Sequence, residues 1–205
     1  MTPASDGLPV LAFADALAWE AWLGAQADDA GGLWLKLAKK GNAASTLTRA
    51  QAVDGALIHG WIDGQAASCD ADWSLIRFTP RRVRSAWSEK NRARATELLA
   101  EGRVAPRGLA EIERARADGR WDAAYPPAST AIVPDDLAAA LDADPVARAF
   151  FDALPGATRY AILLRIHEAK RPATRAARIA RFVAMCAAGE TIHDPPTPRR
   201  TVTAL

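Results

Sequence analysis

The chain of 205 residues is 50% hydrophobic and 24% charged, which is typical of a folded globular protein with one large domain or two small ones. Its 26 Lys and Arg against 24 Asp and Glu give a formal net charge of +2, which does not by itself indicate a nucleic-acid-binding protein. No apolar run approaches the length of about 18 residues that a membrane-spanning helix needs, and the two isolated cysteines and the absence of signal-peptide features predict a cytoplasmic protein.

The first half of the chain combines helix and strand patterns after residues 1–12, which are expected to form a flexible tail. Apolar residues recur at helical spacing in "ADALAWEAWLGAQA", and "LWLKLAKK" alternates with the period of a strand. Thr48 begins a capping-box sequence, which predicts a second helix. The segments "WIDGQAAS" and "WSLIRFTP" then flank a turn-rich stretch. They predict a hairpin that ends at Pro80, because proline cannot donate to a strand ladder.

The remainder of the chain is predicted to be helical. Ser88 is a suitable N-cap for a helix that ends near Gly102, and five more helices follow. Their expected limits are Pro106–Ala117, Pro134–Leu141, Pro145–Leu154, Thr158–Ala169 and Pro172–Ala188. The proline-rich "YPPAST" marks a boundary between two regions. We therefore predict an α+β fold, with a small antiparallel sheet and flanking helices in residues 13–125, a helical segment in 126–190 and a disordered tail in 191–205.

Positive charge is concentrated in the stretch Arg77–Ala95, which holds seven cationic residues and the single acid Glu89. Arginine side chains near the N-terminus of a helix can bind a phosphate, and an aromatic ring can stack on a base. The candidate anion-binding residues are Arg81, Arg82, Arg84, Ser85, Ser88 and Trp87. The alternative is a structural junction in which these arginines pair with carboxylates and the tryptophan lies in the core. Both hypotheses stay open at the level of the sequence.

Within this stretch we expect a division of roles. Arg77 lies on a predicted strand beside the core and is expected to be structural. The loop arginines after it can face solvent and lead into a helix start, so an anion is expected near Arg84, Ser85 and Ser88. Two tryptophans are expected to be buried, Trp61 and Trp87.

A second candidate site lies around "HGWIDGQ", which groups an imidazole, a carboxylate and an amide. A pocket near Asp63, Gln65, Arg77 and Arg81 would suit an enzyme that acts on a small anionic metabolite. In the alternative, structural interpretation, Asp63 pairs with Arg77, Arg81 or Arg82. One His and one Asp are too few ligands for a zinc site. No familiar catalytic motif is present, so the sequence predicts no catalytic residue, no metal and no cofactor.

Several segments in order resemble the bacterial YdeI/OmpD-associated family, which is also labelled bacteriocin-protection. They are "WIDGQ", "RFTPRR", "SAWSEKN", "EGR", "DGRWDAAY" and "KRPATRAARI". The resemblance extends from about Phe13 to Gly189. It implies a first half related to the YjbR/CyaY-like α+β group and a second half of the OmdA type. The sequence departs from the family pattern at Ala86, where asparagine is expected, so any polar role of that position is absent here.

The family label implies a link to stress or to resistance against antimicrobial proteins, and it brings no catalytic activity with it. We therefore favour a non-enzymatic protein that binds an anionic partner, such as nucleic acid, a nucleotide or an acidic protein, through the basic loop. The enzyme described above and a protein-interaction scaffold are the alternatives. The sequence does not define an oligomeric state.

Overall fold

The computed structural model describes residues 6–27, 29–42 and 46–192. The chain divides into two compact units, Met1–Ala124 (unit 1) and Tyr125–Leu205 (unit 2). Unit 1 contains a four-stranded sheet with helices and unit 2 is helical, which confirms the predicted α+β class. All but the first two residues of the predicted C-terminal tail, 191–205, lie outside the described residues.

Unit 1 has its helices and strands in mixed order along the chain. They are β1 (Val10–Leu11), α1 (Ala16–Gly24), β2 (Leu33–Ala38), α2 (Arg49–Ile58), β3 (Trp61–Ser68), β4 (Trp73–Pro80), α3 (Glu89–Ala100) and α4 (Pro106–Ala117). The strands form one sheet in the order β1-β2-β4-β3. β4 pairs antiparallel with both of its neighbours, whereas β1 pairs in parallel with β2, so the sheet is mixed rather than antiparallel throughout. β1 falls within the expected flexible tail, and two residues leave no alternation for the sequence to show.

The helices of unit 1 begin at caps that the sequence predicts. The Thr48 hydroxyl accepts a hydrogen bond from Gln51 N at 3.2 Å, and the Gln51 side chain accepts one from Thr48 N at 2.8 Å, which completes the capping box of α2. Ser88 caps α3 in the same manner, through its hydroxyl. α4 is different, because Ala105 offers no side-chain cap and Pro106 occupies the first helical position.

Two hydrophobic cores stabilise unit 1, and α2 contributes to both. The first core includes Trp19, Trp61 and Phe78, and it lies against the sheet. The second core includes Trp87 and Trp121 together with apolar residues of α3 and α4. Trp61 and Trp87 are 0% and 1% exposed, which confirms the prediction that both are buried. They belong to different cores, so the two tryptophans stabilise different parts of the unit.

The close approach of α4 to the end of α2 depends on Gly108. A Cβ atom at this position would lie 2.2 Å from the carbonyl oxygen of Ile58, far inside van der Waals contact. Ala105 N donates a hydrogen bond to the same carbonyl at 3.1 Å. The start of α4 is thereby fixed beside the C-terminal end of α2, close to the point where β3 begins.

Unit 2 consists of α5 (Asp135–Asp142), α6 (Pro145–Ala153), α7 (Gly156–His167) and α8 (Pro172–Ala187) within the described residues. These limits agree with the predicted ones to within two residues. The apolar faces form one core, which includes Leu137, Phe151 and Phe182. Arg175 of α8 donates two hydrogen bonds to Asp136 of α5, and this pairing holds the pKa of the Asp136 carboxyl below its ordinary value.

Candidate anion-binding site

The basic loop, which we define as residues 81–88, connects β4 to α3 and contains a tight turn. Ser85 N donates to Arg82 O at 2.8 Å, and the Ser85 hydroxyl accepts from Arg82 N at 2.9 Å. The turn leaves Arg82, Val83 and Arg84 exposed to solvent, and Val83 is 64% exposed. The tip of the loop is therefore a short cationic projection from unit 1.

The base of the loop is buried. The Arg81 guanidinium lies over the Trp87 ring at 3.6 Å from its centroid and donates to Ala86 O at 3.3 Å. Trp121 packs against the same tryptophan edge to face, with ring centroids 4.8 Å apart. Trp87 is therefore enclosed and cannot stack on a base, which corrects its assignment as an anion-binding candidate. Arg81 is only 6% exposed and does not belong to the cationic tip.

Four of the seven cations in Arg77–Ala95 are engaged within unit 1. Arg77 pairs with Asp6 at 3.4 Å, Arg94 pairs with Asp54 at 2.7 Å, Arg92 donates to the carbonyl of Trp121 at 3.1 Å, and Arg81 stacks on Trp87. The other three, Arg82, Arg84 and Lys90, are exposed and form no ion pair within the part of the chain that the structure describes. The positive charge that stays available lies on the loop tip and the first turn of α3.

The hydroxyls of the two serines near the start of α3 already accept hydrogen bonds from backbone N–H groups. Ser88 accepts from Asn91 N at 3.1 Å, and Ser85 closes the loop turn. The Arg120 guanidinium donates to Ser85 O at 2.8 Å and ties the loop to the end of α4. Glu89 places a negative charge in the first turn of the same helix. This helix start is therefore a poorer anion site than the sequence predicts, and Arg84 is the candidate there that faces solvent.

The pairing expected for Asp63 is wrong. Asp63 lies opposite Phe78 in the β3–β4 ladder, and residues that face each other across a ladder point to the same side of the sheet. Arg77 is the next residue on β4, so its side chain points to the other side. Asp63 consequently pairs with Arg49 at the start of α2, at 3.6 Å, while Arg77 pairs with Asp6. The broader expectation, that one of the basic-stretch arginines contacts a carboxylate, is confirmed by the Arg77 pair.

The same geometry separates the residues of the predicted enzyme pocket. Gln65 is exposed at an irregularity of the β3–β4 register between Asp63 and Ala66. Asp63 and Arg77 lie on opposite sides of the sheet, so they do not converge on one substrate. Arg81, by contrast, lines a cleft of unit 1.

That cleft is lined by further charged residues, which are not among the candidates predicted from the sequence. Arg107, Glu111 and Arg114 recur at i, i+4 and i+7 on α4, so they share one face of the helix. Their spacing is visible in "PRGLAEIER". The sequence does not show that Glu111 is buried, because charged residues at this spacing are ordinarily solvent-exposed.

Two further observations concern metals and membranes. Over the ranges 6–27, 29–42 and 46–192, no group of three or more His, Cys, Asp or Glu side chains lies close enough to hold a metal ion. Among the helices described there, none is both long and apolar enough to cross a membrane.

The chain resembles known families in two separate segments. Residues 130–189, which lie within unit 2, match the family described as Bacteriocin-protection, YdeI or OmpD-Associated. Residues 11–111, which include strands β2, β3 and β4 and the basic loop, match a domain of unknown function, DUF8412. Neither a curated protein nor a solved structure matches the chain. The predicted YdeI/OmpD-associated resemblance is thus supported by the helical segment, and the YjbR/CyaY-like relationship of the first half stays a prediction.

Proposed function

We propose that this protein is a non-enzymatic member of the YdeI/OmpD-associated type that binds an anionic partner through the tip of the basic loop. The observation that carries the proposal is the selective engagement of the cations in Arg77–Ala95. Four are held by contacts inside unit 1, whereas Arg82, Arg84 and Lys90 are exposed without an ion pair among the described residues. Exposed cations in close succession attract phosphate groups, and binding of this kind needs no deep pocket.

Nucleic acid is the partner that this surface suits best. Its phosphates are closely and regularly spaced, so several exposed cations can each neutralise one, and the released counterions drive binding. The loop offers no exposed aromatic ring, because Trp87 is buried beneath Arg81. The proposed contact is therefore with the phosphate backbone and has little sequence preference.

The family description bears on which partner the basic loop binds. Bacteriocin protection would ordinarily suggest a direct contact with a cationic antimicrobial protein. A loop tip that carries only positive charge repels such a molecule, so the proposed partner is an anion inside the cell rather than the antimicrobial protein itself. A cytoplasmic location, a YjbR/CyaY-like first unit and a role in stress resistance form part of this proposal.

The test is charge reversal at the loop tip. We expect the Arg82→Glu, Arg84→Glu double variant to lose affinity for a fluorescent 20-nucleotide single-stranded DNA, measured by anisotropy in a salt series. The slope of log K against log salt should become shallower by about 0.7 for each arginine removed, the value for a phosphate contact on a single strand. The fold should be unaffected, because neither side chain is buried.

The matched control is Lys170→Glu with Arg171→Glu. Both side chains are exposed in unit 2 and form no ion pair within the described ranges. The two substitutions change the net charge of the protein by the same amount as the loop variant does. The control should bind like the unaltered protein. Equal affinity of the loop variant and the unaltered protein, or an equal loss in both variants, would remove the basis of the proposal.

A further inference from the structure

A cleft of about 500 Å³ opens in unit 1 beside the first turns of α4, separate from the exposed loop tip. Its walls include Gly60, Arg81, Arg107, Glu111 and Arg114. This volume lies in the range of about 300–1,000 Å³ that is usual for sites of small-molecule ligands. The cleft is therefore of a suitable size for a metabolite and too small for a folded partner.

Two charged side chains of the cleft are buried and held in place by neighbouring residues. Arg81 and Glu111 are 6% and 8% exposed, although arginine and glutamate are rarely buried in proteins. Arg81 is held by its stacking on Trp87, and Glu111 Oε1 accepts from Arg114 at 2.7 Å. The side chains of Arg81, Arg107, Glu111 and Arg114 sum to a formal charge of +2, and Arg107 also donates to the carbonyls of Gln26 and Ala27. The cleft thus presents a preorganised cationic field to a ligand.

One oxygen atom in the cleft wall indicates that a ligand must supply a hydrogen-bond donor as well as negative charge. Glu111 Oε2 is buried and accepts no hydrogen bond from any described residue. A buried carboxylate oxygen without a donor is costly, and proteins ordinarily supply a partner from the chain, from water or from a ligand. Glu111 lines the cleft, so a small shift of its carboxylate brings this buried oxygen within reach of a donor on a bound ligand.

The backbone also shapes the cleft, through the start of α4 and through Gly60. α4 begins at Pro106, which has no N–H, after Ala105, which provides no side-chain cap, so the positive end of the helix is left without a negative group of its own. Gly60 adopts φ of +73°, and a Cβ there would lie 3.0 Å from Arg107 O and 3.2 Å from Glu111 Cγ. The glycine therefore permits close contact between the wall and α4.

From these features we infer that the cleft binds a small dianion that also carries a hydrogen-bond donor. A dicarboxylate or a phosphate monoester with a hydroxyl group matches the formal charge of the walls, and its hydroxyl donates to Glu111 Oε2. The oxyanion oxygens accept from the arginines, which favour carboxylate and phosphate. This site does not depend on the loop tip, so it goes beyond the nucleic-acid contact proposed above.

Isothermal titration calorimetry of the full chain at pH 7.5 tests the inference with three probes: L-malate, succinate and inorganic phosphate. Succinate equals malate without its hydroxyl, so we expect malate to bind about tenfold more tightly, the value of one charge-assisted hydrogen bond. Arg114→Gln should weaken malate and phosphate alike, because it removes a cation from the wall. Tighter binding of phosphate than of malate would assign the site to phosphate monoesters within the same inference.

Two matched pairs on α4 make the result decisive. Glu111→Gln is compared with Glu113→Gln, and Arg114→Gln with Arg116→Gln; the second member of each pair is exposed on the same helix. Only Glu111→Gln should reduce the preference for malate over succinate. The Arg82→Glu, Arg84→Glu variant should bind malate normally, which separates this site from the proposed function. Absence of binding of all three probes at millimolar concentration, or an unchanged malate preference in Glu111→Gln, would overturn the inference.

Discussion

Contacts within unit 1 engage four of the seven closely spaced cations, and the stacking of Arg81 on Trp87 is the most buried of these contacts. A guanidinium 3.6 Å above an indole centroid, with both groups buried, combines dispersion with a cation–π attraction of about 2 kcal/mol when desolvated. The same contact fixes the Arg81 side chain at the cleft. One tryptophan thus supports the second core and the orientation of a buried charge.

At the residue scale, Trp87→Ala is expected to destabilise the protein by about 3–5 kcal/mol, because it removes a large side chain from the second core and leaves Arg81 without its ring. Urea unfolding monitored by circular dichroism measures the change. Val83→Ala, in the same loop and 64% exposed, is the control and should alter stability by less than about 0.5 kcal/mol. Equal stabilities of the two variants would place Trp87 outside the core.

At the scale of helices and strands, local signals predicted the fold well. The capping box at Thr48 and the N-cap at Ser88 involve residues only three positions apart, so their geometry is contained in the local sequence. The Asp63 pairing failed for a different reason. Which side of the sheet Asp63 faces depends on its pairing with Phe78 across the β3–β4 ladder, and an irregularity follows directly after it. Such a register is set by tertiary packing rather than by local pattern.

The candidate sites show the same difference between features that depend on local sequence and features that depend on tertiary packing. The loop cations could be located from the sequence because charge density is a local property. The burial of Glu111 could not, because it results from the approach of α4 to the end of α2, which Gly108 permits. A glycine within a helical pattern is a weak signal on its own. Its role becomes visible only when the neighbouring backbone is known.

Gly108→Ala is therefore expected to separate α4 from α2. Its Cβ would lie 2.2 Å from Ile58 O, and backbone cannot yield as cheaply as a flexible side chain, so we expect a loss of about 1–3 kcal/mol despite the better helix propensity of alanine. Gly156→Ala at the start of α7 is the matched control. Outside its own helical turn, no atom of the described residues lies within 4 Å of its added Cβ, so this variant should be as stable as the unaltered protein or slightly more stable. Thermal unfolding of both variants distinguishes the two cases, and equal melting temperatures would contradict the close packing of α4.

At the scale of the whole molecule, net charge and local charge point to different units. Residues 1–124 contain 16 basic and 16 acidic residues, whereas residues 125–205 contain 10 basic and 8 acidic residues. Unit 1 is thus formally neutral and unit 2 carries the formal charge of +2. If the net charge of each unit governed its association with nucleic acid, unit 2 would bind more tightly than unit 1. The exposed cations at the loop tip predict the opposite.

Separate expression of residues 1–124 and 125–205 tests this difference, because each unit has a hydrophobic core of its own. We expect fragment 1–124 to bind the 20-nucleotide DNA with nearly the affinity of the full chain and to lose it on Arg82→Glu, Arg84→Glu. Fragment 125–205 should bind weakly or not at all at the same ionic strength, since Arg175 is paired with Asp136 and Arg178 donates to the carbonyl of Arg165. Circular dichroism establishes that each fragment is folded before anisotropy is measured. Stronger binding by fragment 125–205 would transfer the nucleic-acid contact to unit 2 and leave the basic loop as a structural connection between β4 and α3.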